Sequence, residues 1–484
     1  MKNIFLSLWY FRKNLFIHFL AYLPQKFLFK NLQIWAYYKL GMFHYALEIQ
    51  PYRLTCRGYV GKICSYAALG ENIKAKRLLV EFESLYFCEE YYKIVYNFLV
   101  PYFGFKLIEE KKEGYLSDAL VISLYIKYAQ KNVTSIEFEN FFKKLSLDPL
   151  FNPELFLIKS NLVTEKDINS KLKLLNEYLA FFDLSPLKLL SDTTYLNVNT
   201  LDSSNVQHTE TKKLVSVIMT CYNSSKSIEK SVISILNQTY VNLELIVVDD
   251  ASSDATVNIV QNIASRDFRV KVIQLKKNVG TYVAKNLALT FAKGDYVMCH
   301  DSDDYSHPLK IELQVKPLID NDDLVATISN WVRIDEKGNY VTRFVYPFSR
   351  MNLSSLMFRK DMVVNKIGYY DTVRTGADSE FYARLLLIFG KTRVLRIKKP
   401  LSLGAHREDS LMNAPGTGYN KNGISNDRLN YWESWNIWHI NEIRSKRTPF
   451  LNFGEDSRKF KVPQNIEVGI EDVIFTQNNY RVVK

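Results

Sequence analysis

Val215-Ser216-Val217-Ile218-Met219-Thr220-Cys221-Tyr222-Asn223 is a short apolar run that breaks into polar residues, and its reading decides the fold. Three runs of the same kind follow at Leu243-Glu244-Leu245-Ile246-Val247-Val248, Val270-Lys271-Val272-Ile273 and Tyr296-Val297-Met298-Cys299. Runs this short and this rich in branched residues read as strands. Between them, Ser227 to Gln238, Asp254 to Ala264 and Tyr282 to Ala292 carry apolar residues at helical spacing. Strand alternating with crossover helix predicts a mostly parallel α/β sheet of Rossmann-like winding. Ligands of such sheets bind outside the carboxyl ends of the strands. Those ends carry Thr220 and Tyr222, then Asp249 and Asp250, then Lys276 and Lys277, then Asp301, Asp303 and Asp304.

Outward from this stretch, 484 residues are enough for two or three domains. Residues 1–188 repeat Leu, Tyr, Phe and Lys at three- and four-residue intervals and read as a helical domain. Leu40-Gly41 with Ala46 is echoed by Leu69-Gly70 with Ala75, the small-residue placement of a helical-hairpin repeat. An irregular helical domain remains the alternative. Residues 189–211 turn to Ser, Asp, Thr and Asn, including Ser203-Ser204-Asn205, and read as a linker or extended strap. The α/β domain then occupies 212–407, and 408–484 form a C-terminal helical extension. In it, a loop from Asn413 to Ser425 precedes a helix whose Tyr431, Trp435 and Trp438 are spaced for core packing.

A net charge of +12 calls for an anionic partner. Nucleic acid is disfavoured, because the charge is spread along the chain and no basic-aromatic recognition module accompanies it. The five cysteines, at 56, 64, 88, 221 and 299, show neither metal-ligand spacing nor a disulfide framework. They read as packing residues of a protein in a reducing, cytoplasmic compartment. Residues 1–43 contain Lys2, Arg12, Lys13, Lys26, Lys30 and Lys39 and no acid, interleaved with aromatics. Arg12 and Lys13 interrupt the apolar run, which argues against a signal peptide, and no run reaches the ~18 residues of a membrane span. Two readings stay open: a peripheral contact with an anionic membrane at the cytoplasmic face of the inner membrane, or ordinary helix packing with snorkelled lysines.

The chemistry concentrates in carboxylates. Asp301-Ser302-Asp303-Asp304 follows a strand directly, and hard oxygen ligands suit Mg²⁺ or Mn²⁺. Asp303, two residues beyond Asp301, is the foremost ligand candidate. The competing reading is an acidic turn that caps the helix beginning near Pro308. Tyr222 can stack on a base, and Asp250 can accept from a base N–H. No Gly-rich turn follows the first strand and no phosphate loop with Lys-Ser/Thr occurs, which disfavours dinucleotide enzymes and P-loop nucleotidases. Asp378, in Gly376-Ala377-Asp378-Ser379-Glu380, opens a helix and is either a first-turn acid or a base.

Residues 213 to about 407 resemble the bacterial family 2 glycosyltransferases of GT-A fold, in particular those of capsular polysaccharides. The family resemblance lies in Val215 to Asn223, Ile235-Leu236-Asn237-Gln238-Thr239-Tyr240, Val248-Asp249-Asp250-Ala251-Ser252-Ser253-Asp254, Asn278-Val279-Gly280, and Asp301-Ser302-Asp303-Asp304 with Pro308, and the capsular one in Ile328-Ser329-Asn330-Trp331-Val332-Arg333 with Gly376-Ala377-Asp378-Ser379-Glu380-Phe381-Tyr382. It implies that Thr220, Tyr222 and Asp250 hold the uracil end of a UDP-sugar and that Asp301 lies near the ribose. It also implies that Asp303 binds the metal of a DxD element and that Asp378 is the catalytic base. His406 matches a histidine that approaches the diphosphate or the metal. Lys285 stands where the family often has Arg, which keeps the charge and loses the bidentate fork. Lys277 is a further candidate for phosphate contact. Glu380 is a candidate for orienting the acceptor, and Trp331 either stacks on a sugar or is buried.

The expected reaction is inverting, metal-dependent transfer from a UDP-sugar, such as UDP-glucuronic acid or a UDP-N-acetylhexosamine. The expected acceptor is a hydroxyl of a growing capsular or other surface polysaccharide, and capsule-assembly proteins are expected partners. The alternatives are transfer to a lipid-linked oligosaccharide or lipopolysaccharide core, and a non-catalytic polysaccharide assembly protein.

Overall fold

The computed structural model describes residues 2–24, 29–104, 107, 113–116, 120, 152–191, 193–203, 213–342, 347–407, 410, 417–420 and 423–483. Lys26, Ser204-Asn205 of the expected linker, and 413–416 with 421–422 of the expected loop lie outside the described residues.

The first helices are α1 (Lys2–Arg12), α2 (Phe16–Tyr22), α3 (Lys30–Lys39), α4 (Phe43–Glu48), α5 (Cys56–Ala68), α6 (Asn72–Leu85) and α7 (Glu89–Phe103). They close one core through Phe19, Trp35, Ile63, Phe82, Val95 and Leu99. Gly61 lets α5 lie against α3, since a Cβ there would meet Ile34 at 2.7 Å. No helix among the described residues is long and apolar enough to cross a membrane. Further along, α8 (Glu154–Ser160) and α9 (Ile168–Ala180) belong to a different core, shared with the sheet. The expected helical domain therefore packs in two places.

Strands β1 (Leu187–Leu189) and β2 (Leu201–Ser203) pair antiparallel where a linker was expected. Leu187, Leu196, Val198 and Leu201 are buried against Leu157 and Tyr178 and against the sheet. Polar composition hid Leu196, Val198 and Leu201, and the segment is a packed strap.

The main sheet contains β3 (Val215–Cys221), β4 (Leu243–Asp249), β5 (Val270–Leu275), β6 (Tyr296–Cys299), β7 (Tyr305–Ser306), β8 (Ala326–Asp335), β9 (Tyr340–Val341), β10 (Arg350–Met351), β11 (Met357–Arg359) and β12 (Val394–His406). After the short pair β13 (Tyr419–Asn420) and β14 (Gly423–Ile424), its edge is completed by β15 (Tyr480–Val482). The order is β15-β5-β4-β3-β6-β11-β8-β12-β7, with β9 and β10 on β8. β5, β4, β3 and β6 run parallel, and β11 is antiparallel to both β6 and β8. This helical region followed by a mixed α/β sheet is the expected class, a GT-A, Rossmann-like architecture.

The alternation of side chains along each strand sorts two cores. Ile218, Ile246, Val248 and Ile273 face α12 (Thr281–Phe291), whereas Val217, Met219, Leu245, Val247 and Val272 face α10 (Ile228–Leu236) and α11 (Thr256–Arg266). Burial on both faces is why these strands read as continuous apolar runs. Each fully buried Ile or Val contributes about 1.5–3 kcal/mol. The remaining helices are α13 (Lys310–Asp320), α14 (Lys360–Ile367), α15 (Ala377–Phe389), α16 (Asn426–Arg444) and α17 (Ile470–Asn478).

Helix α16 joins the units. Tyr431, Trp435 and Trp438 pack into the core of the α/β part, while Ile440 packs into that of the first helices. Trp432 Nε1 donates to the Leu40 carbonyl at 2.6 Å, and Glu433 accepts from the His44 N–H at 2.8 Å. The tail is not only helical, because β15 adds antiparallel to β5.

Candidate functional site

The parallel register aligns the strand ends: Cys221 lies opposite Asp249, and Ile218 opposite Cys299. Tyr222, next along from Cys221, is 52% exposed, a large ring left in the open. Thr220 Oγ1 is 2.6 Å from Thr281 Oγ1 at the start of α12. The two loops that follow β3 and β4 hold each other. Asn223 accepts from the Ser253 N–H at 2.9 Å, the Ser224 N–H donates to Thr256 Oγ1 at 2.8 Å, and the Ser225 N–H donates to Asp254 at 3.1 Å. Asn223 and Ala251 sit at φ 47° and 62°, a left-handed conformation that costs a non-glycine residue energy and is tolerated where neighbours over-determine it.

Asp250 is buried, and its two oxygens accept the N–H groups of Val279 and Gly280, each at 2.8 Å. Burial pushes its carboxyl up to about 6, against the pull of those two N–H groups and Arg374. It braces the Asn278-Val279-Gly280 turn and keeps a lone pair on each oxygen. Asp249 accepts from the Ser252 N–H at 3.0 Å and supports its own loop.

Beyond β6 the acids crowd. Asp301 accepts from Ser354 Oγ at 2.6 Å and lies 3.6 Å from Lys285 Nζ. Burial raises its affinity for a proton, but Lys285 and the Ser354 hydroxyl outweigh it, and the carboxyl is held below its ordinary value. Asp303 meets Arg407 Nη2 at 3.0 Å. Burial, aided by Asp301, nevertheless raises its pKa against the Arg407 charge. Asp304 is raised well above its ordinary range by burial and by Asp303 and Asp301. Its Oδ1 accepts from the Ala405 N–H at 3.1 Å, whereas Oδ2 is buried with no hydrogen-bond partner. Under the loop, His300 Nε2 lies 3.2 Å from the Asp304 carbonyl and Nδ1 lies 3.3 Å from Lys310 Nζ.

Among the described residues, no group of three His, Cys, Asp or Glu side chains converges as a metal cage would. A Mg²⁺ or Mn²⁺ ion needs less, since one or two carboxylates suffice when phosphates and water complete the shell. Three acids in four positions, with one buried carboxylate oxygen unpartnered, fit a cation of that kind.

Asp378 stands in the first turn of α15, after Gly376 at φ 87°. It is half-buried, and its Oδ1 accepts from the Ser379 N–H at 2.7 Å. Lys285 and Tyr282, on α12, both lie within its electrostatic reach. Burial lowers the Lys285 pKa, but Asp301, Cys299 and Asp378 together carry it above its ordinary value. Lys285 therefore answers to both acid groups. Glu380 belongs elsewhere: it is fully buried, with Arg384 Nε and Nη2 donating to it at 2.9 and 2.8 Å and His439 Nε2 at 2.9 Å. That closed ion-pair set leaves it unable to orient an acceptor.

Of the other expected residues, Lys277 turns to the tail, its Nζ 2.6 Å from Asp472 on α17. His406 ends β12 opposite Asp335, one residue before the guanidinium that meets Asp303. Trp331 is half-buried, covering Gly404, where a Cβ would meet its ring at 2.6 Å. Arg333, the end of the run from Ile328, acts on Asp303 and Asp304, while Ser354, His300 and Lys310 enter the site only in the fold. Of these three, His300 alone carried a signal, by adjacency to Asp301.

Residues 216–373 match the family described as glycosyl transferase family 2. That segment is similar to bacterial glycosyltransferases, several of them named for polysaccharide synthesis. The chain is 39% identical over 128 residues to an uncharacterised glycosyltransferase of Haemophilus influenzae, covering 26% of this chain and 51% of that protein. It is 29% identical over 187 residues to hyaluronan synthase of Pasteurella multocida, covering 37% of this chain and 19% of that one. The chain thus spans about half the length, or less, of these curated relatives. Among solved structures, S. aureus TarS 1-349 in complex with UDP-GlcNAc aligns at 25% identity and TM-score 0.33, over 40% of this chain and 59% of that one.

Proposed function

We propose that this protein is an inverting glycosyltransferase that moves a sugar from a UDP-sugar to a hydroxyl of a growing surface polysaccharide of the capsular kind. One observation carries the reading: buried Lys285 lies 3.6 Å from Asp301, in the loop after β6, and also feels the charge of Asp378, at the start of α15, so one cation is shared by both acids. Similarity to hyaluronan synthase supports a donor such as UDP-glucuronic acid or a UDP-N-acetylhexosamine.

In this reading Tyr222 stacks on uracil, Thr220 lines its pocket, and Asp250 receives a base N–H on a remaining lone pair. Asp301 faces the ribose. Asp303, with His406 close by, would hold Mn²⁺ or Mg²⁺, which when bound offsets charge on the leaving diphosphate. Lys285 and Arg407 add fixed positive charge to that crevice. Asp378 takes the proton of the acceptor hydroxyl as the oxygen attacks the anomeric carbon. A single displacement inverts that carbon. We infer in addition that the basic, aromatic amino-terminal stretch rests on an anionic membrane at its cytoplasmic face.

The test is calorimetric binding of UDP against GDP and ADP, with transfer from a panel of UDP-sugars measured in Mn²⁺ and in chelator. Selective UDP binding and chelator-sensitive transfer are expected. Equal affinity for the three nucleotides would defeat the donor assignment.

A further inference from the structure

The segment Lys391-Thr392-Arg393-Val394-Leu395-Arg396-Ile397-Lys398-Lys399 holds five cations and no acid. It enters β12 beside β8. Two of the five charges are used within the fold. Arg393 Nε donates to the Asp323 carbonyl at 2.7 Å, and Lys399 donates to the Phe182 carbonyl and lies 3.6 Å from Asp183. Lys391, Arg396 and Lys398 are exposed, and no carboxylate among the described residues lies within ion-pair distance of them.

Arg396 is nevertheless held in place. Its Nε and Nη2 donate to Asn330 Oδ1 at 3.1 and 2.9 Å, and the Asn330 amide donates in turn to Ser349 Oγ at 3.0 Å. Asn330 is buried, so an exposed guanidinium is anchored from beneath by a neutral group that leaves its charge unspent. Surface arginines are ordinarily mobile, and fixing one lowers the entropy lost when it meets a carboxylate. Arg396 also acts on Tyr382, which is half-buried on α15. Tyr382 follows Asp378 by four residues, one helical turn, so the two share a face at a Cβ spacing of about 5–6 Å. The anchored guanidinium thus acts on a ring that shares a helix face with the residue proposed as base.

We propose that Arg396 and Lys398, with Lys391, bind the carboxylates of an anionic glycan acceptor and lay its chain past Tyr382 toward Asp378. This rests on the transfer reaction proposed above and adds the chemical class of the acceptor, a uronate-bearing polysaccharide. A neutral acceptor gives these cations nothing to meet. Exposed pairs of this kind are individually weak and screened by salt, so the site acts through several at once.

The experiment uses the full chain and a fluorescent hyaluronan oligosaccharide, compared with the same oligosaccharide after reduction of its carboxyl groups. Binding is read by anisotropy at low and at physiological salt. The carboxylated probe should bind more tightly and lose affinity as salt rises, and Arg396→Gln with Lys398→Gln should weaken it about tenfold. UDP affinity, measured on the same samples, should stay within about twofold of the parent and shows that the double variant is folded. Equal binding of the two probes, no binding of either, or an unchanged affinity in the double variant overturns the proposal. Failure of the parent to bind UDP, with the carboxylate-dependent contact intact, overturns the donor reading instead.

Discussion

Arg407 reaches back from the end of β12 to Asp303, with Nη2 3.0 Å from Oδ2. The acid proposed to bind a cation is thereby partnered by a fixed one, beside Asp301 and Asp304. Removing the guanidinium leaves Asp303 facing two acids, with Arg333 still acting on it. Arg407→Gln should therefore tighten Mn²⁺ binding to the free protein, by roughly three- to tenfold. It should also weaken UDP binding, because the crevice loses a positive charge. Manganese titration followed by electron paramagnetic resonance, with and without UDP, measures both. Asp303→Ala should bind no Mn²⁺ under the same conditions, and full transfer by that variant in chelator would remove the metal from the proposal.

Glu380, Arg384 and His439 make a closed buried set, and the Arg384 guanidinium also donates to the carbonyls of Ile367 and Tyr369. Breaking such a set strands a charge, at a cost of about 3–5 kcal/mol. Arg384→Met should lower the melting temperature markedly, whereas a variant at exposed Lys391 should not. Equal melting curves would show that the buried charges are compensated in some other way.

A pH dependence follows from Glu154, which is buried and accepts the N–H groups of Phe348 and Ser349 at 2.7 and 3.0 Å. Burial pushes its carboxyl up to about 7 in the fold despite those bonds, from an ordinary 4.5. The folded state then holds a proton that the unfolded state releases. This contribution favours folding at low pH and is lost as pH rises from about 4.5 to about 7. Glu154→Gln should show a smaller drop in melting temperature between pH 5 and pH 7.5 than the parent. A drop of the same size would assign the slope to other groups, Asp250 first among them.

Much of this architecture is legible in the sequence because it is local. The β-branched runs that end at Cys221, Asp249 and Cys299 announce the parallel strands, and the acids after Cys299 announce the site. What is not legible depends on distant partners. Glu380 is withdrawn from the site by His439, 59 positions away, and Lys277 is drawn off by Asp472, 195 positions away. Arg384, one turn beyond Glu380, is the local part of its ion-pair set, whereas nothing near Glu380 or Lys277 in the chain marks His439 or Asp472. For the segment from β1 to β2, Ser, Asp, Thr and Asn leave linker and extended strap both open, and the burial of Leu196, Val198 and Leu201 selects the strap.

On α1, Phe5 is 72% and Trp9 51% exposed, one helical turn apart, and Arg12 and Lys13 are exposed beyond them. An aromatic pair bordered by cations suits the interface of an anionic bilayer. Phe5→Ala with Trp9→Ala should reduce flotation with phosphatidylglycerol vesicles by about fivefold or more and leave UDP affinity unchanged. Flotation that does not depend on the anionic lipid would assign the stretch to helix packing alone.

The decisive prediction separates Asp378 from Glu380. Asp378 sits in the first turn of α15, half-buried, where its carboxylate can receive the proton of an attacking hydroxyl. Asn at 378 keeps the shape and can still accept from the Ser379 N–H, but it cannot receive the acceptor's proton. Asp378→Asn should lower kcat by about 10² to 10⁴ and leave UDP affinity close to that of the parent. Glu380→Gln should act differently, because its carboxylate meets only Arg384 and His439 in the interior. Its effect should appear in the melting temperature first, and in kcat only as far as α15 shifts. Steady-state transfer, UDP calorimetry and thermal melting on both variants distinguish the two roles, and NMR of the product reads the anomeric carbon. Near-normal turnover in Asp378→Asn would remove the base from this residue. Retained configuration would rule out a single back-side displacement even with Asp378 essential, since that displacement inverts the carbon it attacks.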